Sequence, residues 1–207
     1  MPRPKKTAEE IQAMREKILD VALNILEEEG PKAITSRAIA KRLKVSHMSL
    51  FTYFKNQSEI RSALRERVMA EVRIPLNEIE ERAQSENIPA LLEEVWMLFA
   101  DFAREKPFLY RLAWVTPEAG GIDTEEKHQQ RRAIVNQLAR ILKLGMERGD
   151  FEPRDPALTA LTVLGMFNMP FMLFHNGRLP DESLRDRMVD EVFSAVMGYL
   201  GKKEKSQ

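Results

Sequence analysis

The chain of 207 residues contains no cysteine, which excludes disulfides, thiolate metal sites and cysteine nucleophiles together and is in keeping with a reducing cytoplasm. Glycine and proline are scarce, at 9 and 11 residues. The prolines punctuate long stretches that lack β-branched runs, so an all-α fold is the expected class. No apolar segment follows Arg3, Lys5 and Lys6, because Thr7 to Glu10 come next, and no secretion signal is expected. An apolar fraction of 43% and a charged fraction of 31% exclude a disordered or collagen-like chain.

Net charge is also absent, since 32 Lys and Arg balance 32 Asp and Glu. The balance is uneven along the chain. Residues 30–55 hold Lys32, Arg37, Lys41, Arg42, Lys44 and Lys55 and no acid, a local charge of +6 that the other residues must offset with −6. A compact basic segment on an otherwise acidic chain is an electrostatic footprint for a polyanion. A merely solvated loop would intersperse acids among those cations.

One stretch lacks formal charge altogether. Ala157 to Gly177 runs 21 residues, long enough to cross a bilayer. Thr159, Thr162, Asn168, Pro170, His175 and Asn176 interrupt it, and Asp155-Pro156 precedes it. The favoured expectation is a helix buried on nearly all sides, in a core or between subunits, with no membrane involved.

Helix signals divide the chain. Met14, Ile18, Val21, Ala22 and Ile25 form one apolar stripe, closed by Gly30-Pro31. Thr35 is placed to cap a short second helix that reaches about Leu43 and turns Ile39, Ala40 and Leu43 inward; Ile34 and Ile39 have staple spacing. Lys44-Val45 makes a turn, and Ser46 is placed to cap a third helix from His47 to Tyr53. Asn56 and Glu59 resemble a capping box for a fourth helix from Gln57, with a kink expected at Pro75. Three helices within about 45 residues, the last two joined by a tight turn, describe a helix-turn-helix unit. The expected division is therefore residues 1–56 for this unit and 57–207 for a larger helical domain. In that domain Pro89 opens a helix bearing Leu92, Val95, Trp96, Phe99 and Phe102, and Pro107 starts a short one through Trp114. Pro117 and Gly120-Gly121 mark a loop. Asp123 and Glu126 suit the start of a helix ending near Gly149. Asp155 and Asp181 are caps for the last two helices, and Lys202 to Gln207 should fray.

The third helix shows an unusual outer surface of His47, Met48, Ser49, Thr52 and Tyr53. A structural helix would carry Glu and Lys there. Hydroxyls, imidazole and phenol donate to phosphates or base edges, and Met touches thymine methyls. Thr35 and Ser36 begin the preceding helix, where free N–H groups favour a phosphate, and Arg37 on that turn is in position for a guanine edge or a phosphate. Lys55 and Tyr53 at the end of the third helix should hold the backbone.

The run from Ile18 to Val68, with TSRAIAKRLKVSHMSLFTYFKNQSEI at its centre, resembles the DNA-binding domain of the tetracycline-repressor (TetR) family of bacterial regulators. The resembling core V-S-x-x-x-L-Y-x-H-F stands here as Val45-Ser46-His47-Met48-Ser49-Leu50-Phe51-Thr52-Tyr53-Phe54. EKPFLYRLAW and ERGDFEPRDPALTAL are similar, more loosely, to the family's C-terminal domain. The resemblance implies a two-domain, all-helical homodimer that binds a palindromic double-stranded DNA operator and is released by a small-molecule effector. Four positions depart from it. Phe51 replaces a Tyr and loses one phosphate hydrogen bond while its ring still packs on sugar or thymine. Tyr53 replaces a His, Lys44 stands where a turn glycine is common, and Gln57 stands where a phosphate-binding Lys is frequent.

An enzyme reading finds little to use. Glu125-x-x-His128 has half the spacing of a di-iron carboxylate site, but Lys44 and Met172 stand three residues before the other histidines, His47 and His175. Glycine-rich phosphate loops and nucleophile elbows are absent, so neither a catalytic activity, a metal nor a cofactor is expected. On the effector side, Phe167, Phe171 and Phe174 form a stripe beside Asn168 and His175. With Trp96, Phe99 and Trp114 they suggest an apolar or aromatic ligand, while core packing alone accounts for any one of them. Dimer contacts are expected from the last helix through Met188, Val192, Val196 and Tyr199. Two other readings stay open: a nonspecific architectural DNA binder using the same basic segment, and a helical ligand-binding protein without a DNA role.

Overall fold

The computed structural model describes residues 7–116 and 125–201, and only the backbone of 125–128, 130 and 131. The expected loop at Pro117 and Gly120-Gly121, the Asp123 cap, the side chains of Glu125, Glu126 and His128, and the tail from Lys202 lie outside the described residues. Eight α-helices occur among those described: α1 (Ala8–Glu29), α2 (Ser36–Leu43), α3 (Gln57–Arg82), α4 (Ile88–Glu105), α5 (Pro107–Tyr110), α6 (Glu125–Arg148), α7 (Pro156–His175) and α8 (Glu182–Leu200). Tight 3-10 turns cover Pro31–Ala33 and His47–Thr52, and a wide π turn covers Arg111–Val115. The chain is all-α, without a strand among the described residues.

Two compact units result, each with its own core. The N-terminal unit extends through Met69 and takes in a further segment from Phe108, a different division from the expected 56/57. The first turns of α3 belong to it because Ile60, Leu64 and Val68 are fully buried there. Arg67 of α3 also reaches Asp20 of α1 at 2.6 Å. Phe108 belongs to the unit because Gly30, at φ 82°, closes α1 with no Cβ, and a Cβ there would lie 3.2 Å from the Phe108 ring. The α1 stripe buries Ile18, Ala22 and Ile25 with Leu19 and Leu26, while Met14 and Val21 are only half-buried.

The C-terminal unit holds the rest of the described chain. Leu92, Val95, Trp96, Phe99 and Phe102 are all buried along α4. Asn87 caps this helix by accepting from the Ala90 N–H at 2.9 Å. Asp155 and Asp181 cap α7 and α8 at 2.7 and 2.8 Å. Helix α3 continues past Pro75 with Val68, Val72, Leu76 and Ile79 buried along it. Two expectations change. The helix expected from Pro107 to Trp114 widens into the π turn, where the Thr116 N–H reaches back to the Arg111 carbonyl at 2.7 Å. Helix α7 is not buried on nearly all sides of the single chain. Val163, Phe167 and Phe171 face inward, but Leu158 and Leu161 are 63% and 56% exposed.

Gly145 marks where α6 meets the start of α4 and the turn before α7. A Cβ at this position would sit 2.5 Å from Phe151 and 2.9 Å from Ile88, both buried. Gly145→Ala is expected to lower the unfolding free energy by about 1–3 kcal/mol through overpacking, read as a lower midpoint in urea unfolding of the full chain.

Candidate nucleic-acid interface and effector core

The surface formed by residues 35–55 is assembled from short pieces whose ends are all tied. Thr35 caps α2 by accepting the Ala38 N–H at 3.1 Å. Ile34 and Ile39 on either side are fully buried, as the staple spacing requires. The helix ends on Lys44 at φ 56° and ψ 41°, a left-handed residue. Its N–H bonds the Lys41 carbonyl, and the Val45 N–H bonds the Ala40 carbonyl at 3.0 Å, closing α2 in a Schellman arrangement. The turn therefore needs the glycine-like conformation even though the residue is lysine.

Ser46 then caps the next segment by accepting from the Ser49 N–H at 3.2 Å. The segment His47–Thr52 forms 3-10 turns rather than the expected α-helix. Only Leu50 within it is buried, and Phe54 just beyond is 1% exposed. With two anchors so close in sequence, the backbone tightens between them, and 3-10 geometry suits so short a span. His47, Met48 and Thr52 are consequently displayed outward, with Met48 63% exposed. Phe51 and Tyr53 are half-buried. The Ser49 hydroxyl donates to the Ser46 carbonyl at 2.5 Å, leaving its oxygen free only to accept.

Arg15 of α1, which no sequence pattern singled out, holds this segment in place. Its guanidinium stacks 4.0 Å over the Phe54 ring, donates to the Tyr53 carbonyl and pairs with Glu59 at 3.2 Å. Glu59 also accepts the Lys55 N–H at 2.5 Å, while Asn56 accepts the Glu59 N–H at 2.9 Å. Half of the expected capping box is thus formed, since Glu59 returns to the Lys55 N–H rather than to that of Asn56. Gln57 uses its side-chain amide inside the unit, donating to the Ile34 carbonyl at 3.1 Å.

The cations of the basic segment separate into two groups. Arg42 is neutralised by Glu28 at 2.7 Å and Glu29 at 2.6 Å, and its hydrogen bond holds the Glu28 carboxyl below its ordinary range. Arg37, Lys41, Lys44 and Lys55 are exposed and make no ion pair with a described residue. Thr35 and Ser36 are half-buried at the start of α2, next to Arg37. Backbone N–H groups, hydroxyls and uncompensated cations on tethered turns are what a phosphate backbone requires, and the outward His47, Met48 and Thr52 offer groups for base edges.

In the C-terminal unit, buried rings dominate. Trp96 lies 4.3 Å from Phe167 and stacks on Phe193 at 6.2 Å, and Phe99 tilts against Phe167 at 6.4 Å. Asn168 is buried and donates to the Leu164 carbonyl at 2.8 Å. Arg185, also missed from sequence, is buried with its guanidinium 4.9 Å from the Phe174 ring and 6.0 Å from Phe171. It hydrogen-bonds Asp186, and with Arg104 it holds that carboxyl below its ordinary range. His175 is half-buried, its ring beside Phe174. Trp114 belongs to the N-terminal unit, where it stacks on Tyr110 at 5.3 Å. Val192 and Val196 are 6% and 0% exposed within the single chain, so the expected partner contacts there are corrected: both side chains are already covered by the chain's own core. Met188 and Tyr199 are half-buried. No group of three or more His, Asp or Glu side chains among the described residues is placed to hold a metal.

Comparison with known proteins follows the same division. Residues 18–64 match the model for bacterial regulatory proteins of the tetR family, and residues 115–196 match the tetracyclin repressor-like C-terminal domain. The chain is 25% identical over 153 residues to YhgD of Bacillus subtilis, an uncharacterised HTH-type transcriptional regulator, covering 72% of this chain and 78% of that protein. Among solved structures, a protein of unknown function from Rhodococcus sp. RHA1 superposes with a TM-score of 0.73 at 21% identity, over 98% of this chain and 100% of that one. RolR, solved in complex with resorcinol, superposes with a TM-score of 0.70 at 15% identity, over 95% and 92% of the two chains. At these identities the structures share the fold.

The left-handed lysine gives a direct test of the turn. Lys44→Gly removes the Cβ penalty of that conformation and is expected to stabilise the chain by up to about 1 kcal/mol, measured as a raised unfolding midpoint.

Proposed function

Because the chain belongs to the tetR family of bacterial regulatory proteins and is a DNA-binding, ligand-responsive transcription regulator, we propose that it acts as a repressor which binds a palindromic operator as a homodimer and leaves it when a small effector binds. The observation that carries the DNA half is the set of exposed cations without carboxylate partners around an outward His47, Met48 and Thr52. Regulators of this family are in general not enzymes, and the proposal gives no side chain a catalytic role. Its place of action is the bacterial cytoplasm, where the DNA is.

Within the interface, Lys55 and Tyr53, with Thr35, Ser36 and the N–H groups of α2, hold phosphates. Arg37, His47, Met48 and Thr52 discriminate bases, and Ser49, Phe51 and Gln57 flank them. The effector is apolar or aromatic and enters among Trp96, Phe99, Phe167 and Phe171, with Asn168 and His175 as polar neighbours. The aromatic packing supports this, and RolR, a fold relative, was solved with the aromatic ligand resorcinol.

The partner is a second copy, and α7 is the main contact. Leu158, Leu161, Gly165, Met169 and Met172 are all exposed and recur along one face of this charge-free helix. Added Cβ atoms at Gly165 and at Gly198 of α8 would meet nothing within 4 Å, so a facing helix has room to approach closely. A self-complementary four-helix contact from α7 and α8 covers this surface and matches the two-fold symmetry of a palindrome. Although α7 is long and apolar enough to cross a membrane, the inward Thr159, Asn168 and Pro170 fit protein packing better than lipid.

Two measurements test these assignments. Footprinting on the region upstream of the chain's own gene should give a discrete palindromic footprint; diffuse protection would point to an architectural binder, and none would end the DNA reading. On that duplex Arg37→Ala should cost about 1–3 kcal/mol, and far less on a scrambled one. Lys55→Ala should weaken both alike and reduce the log–log salt slope by roughly one. Equal losses for Arg37→Ala on both duplexes would make Arg37 a phosphate clamp. For the dimer, Leu161→Glu should sediment as a folded monomer at micromolar concentration and bind the operator weakly. Val192→Asp should instead lose about 3 kcal/mol or more of stability, since it places a charge in the core of one chain. A wild-type monomer would overturn the dimer and the palindrome together.

A further inference from the structure

We propose that the N-terminal unit carries a site for a small phosphate-type oxyanion, in a cavity between the turn that follows α1 and the π turn Arg111–Val115. The cavity has a volume of about 360 Å³ and is lined by Pro31, Lys32, Arg61, Arg111, Val115 and Thr116. Among the described lining residues three are cations and none is an acid. Lys32 and Arg111 make no ion pair with a described residue.

Arg61 is the centre of the argument. Its Nη2 donates to the Pro31 carbonyl at 2.8 Å and to the Ile34 carbonyl at 3.1 Å. Its Nε is buried without a hydrogen-bond partner. A buried donor on a charged group is costly to leave unmade, and native structures seldom leave one without a reason. An anion in the cavity supplies the guanidinium with a counter-charge. With Lys32 and Arg111 the described lining residues carry +3, which a dianion balances better than a monocarboxylate does. A planar guanidinium fork with two further cations also matches the several oxygens of a phosphate.

The walls are held by one helix face. One turn after Arg61, Arg65 of α3 donates to the Thr116 carbonyl at 2.5 Å. Arg61 thus fixes the turn leading into α2, and Arg65 fixes the end of the π turn. A π turn inside a helical segment is rare and frequently marks a functional position. An occupant touching Lys32, Arg61 and Arg111 bridges the two walls and stabilises the unit, including the Ile34 carbonyl that Gln57 also holds just before the Thr35 cap. This site does not depend on the operator or effector assignments above.

The test uses the full chain without DNA. Pyrophosphate and inorganic phosphate are titrated calorimetrically into wild type and Lys32→Gln/Arg111→Gln, with ionic strength matched by sodium chloride. Neither substituted side chain makes an internal hydrogen bond with a described residue, so the double variant should unfold at the wild-type temperature without phosphate. The expected result is saturable binding with one site per chain in wild type, weakened about tenfold or more in the double variant, and a thermal stabilisation that chloride does not reproduce. Equal binding by both proteins, or a shift that chloride matches, overturns the site. A second arm separates a small anion from a DNA phosphate. The duplex affinity of the double variant should keep the wild-type salt slope. A slope reduced by about two would make the cavity a seat for the DNA backbone and overturn the small-anion assignment.

Discussion

The outward surface of residues 47–53 depends on anchoring a segment too short to hold itself. Six residues of 3-10 turn have almost no intrinsic stability, because helix nucleation is costly and these turns add few bonds. Leu50 and Phe54 supply the burial, and Arg15 supplies the lock by covering the Phe54 ring and binding both the Tyr53 carbonyl and Glu59. With these positions fixed, His47, Met48 and Thr52 have nowhere to point but outward. Side chains unfavourable in an ordinary surface helix are thereby retained at little cost, since tertiary anchoring rather than propensity holds the backbone.

A similar economy governs charge. The basic segment is not uniformly basic in space, because Arg42 is drawn back to Glu28 and Glu29 at the end of α1. That pair helps position α2 and contributes little to stability, being exposed and screened. The remaining cations are left without such partners, and the acids that balance them in the total lie elsewhere in the chain. Arg61 and Arg65 do different work: their guanidiniums bind main-chain carbonyls and clamp the turns on either side of α3.

In the C-terminal unit the charge-free helix α7 divides by face. Phe167 and Phe171 pack inward with Trp96 and Phe99, while Leu158, Leu161, Met169 and Met172 remain at the surface. Core and unpartnered faces share one helix, so a rearrangement of the rings inside has a short path to the outer surface.

Much of this was legible in the residues alone. Caps at Thr35, Ser46, Asp155 and Asp181 announce helix starts because each needs only a local oxygen and a local N–H. The family resemblance marked Lys44 as standing where a turn glycine is common, and the structure gives it the left-handed conformation such a glycine adopts. The V-S-x-x-x-L core located the short capped segment after α2, and the absence of acids across residues 30–55 made this stretch basic. What tertiary structure alone decided are the features that depend on distant contacts. These include the 3-10 form of the short capped segment, the membership of Phe108 and Trp114 in the N-terminal unit, and the clamps made by Arg15, Arg61 and Arg185. The same holds for Val192 and Val196, which share the helical stripe pattern of residues that face a partner. Periodicity states that a helix has an apolar face, but only the packed chain states which neighbour covers it.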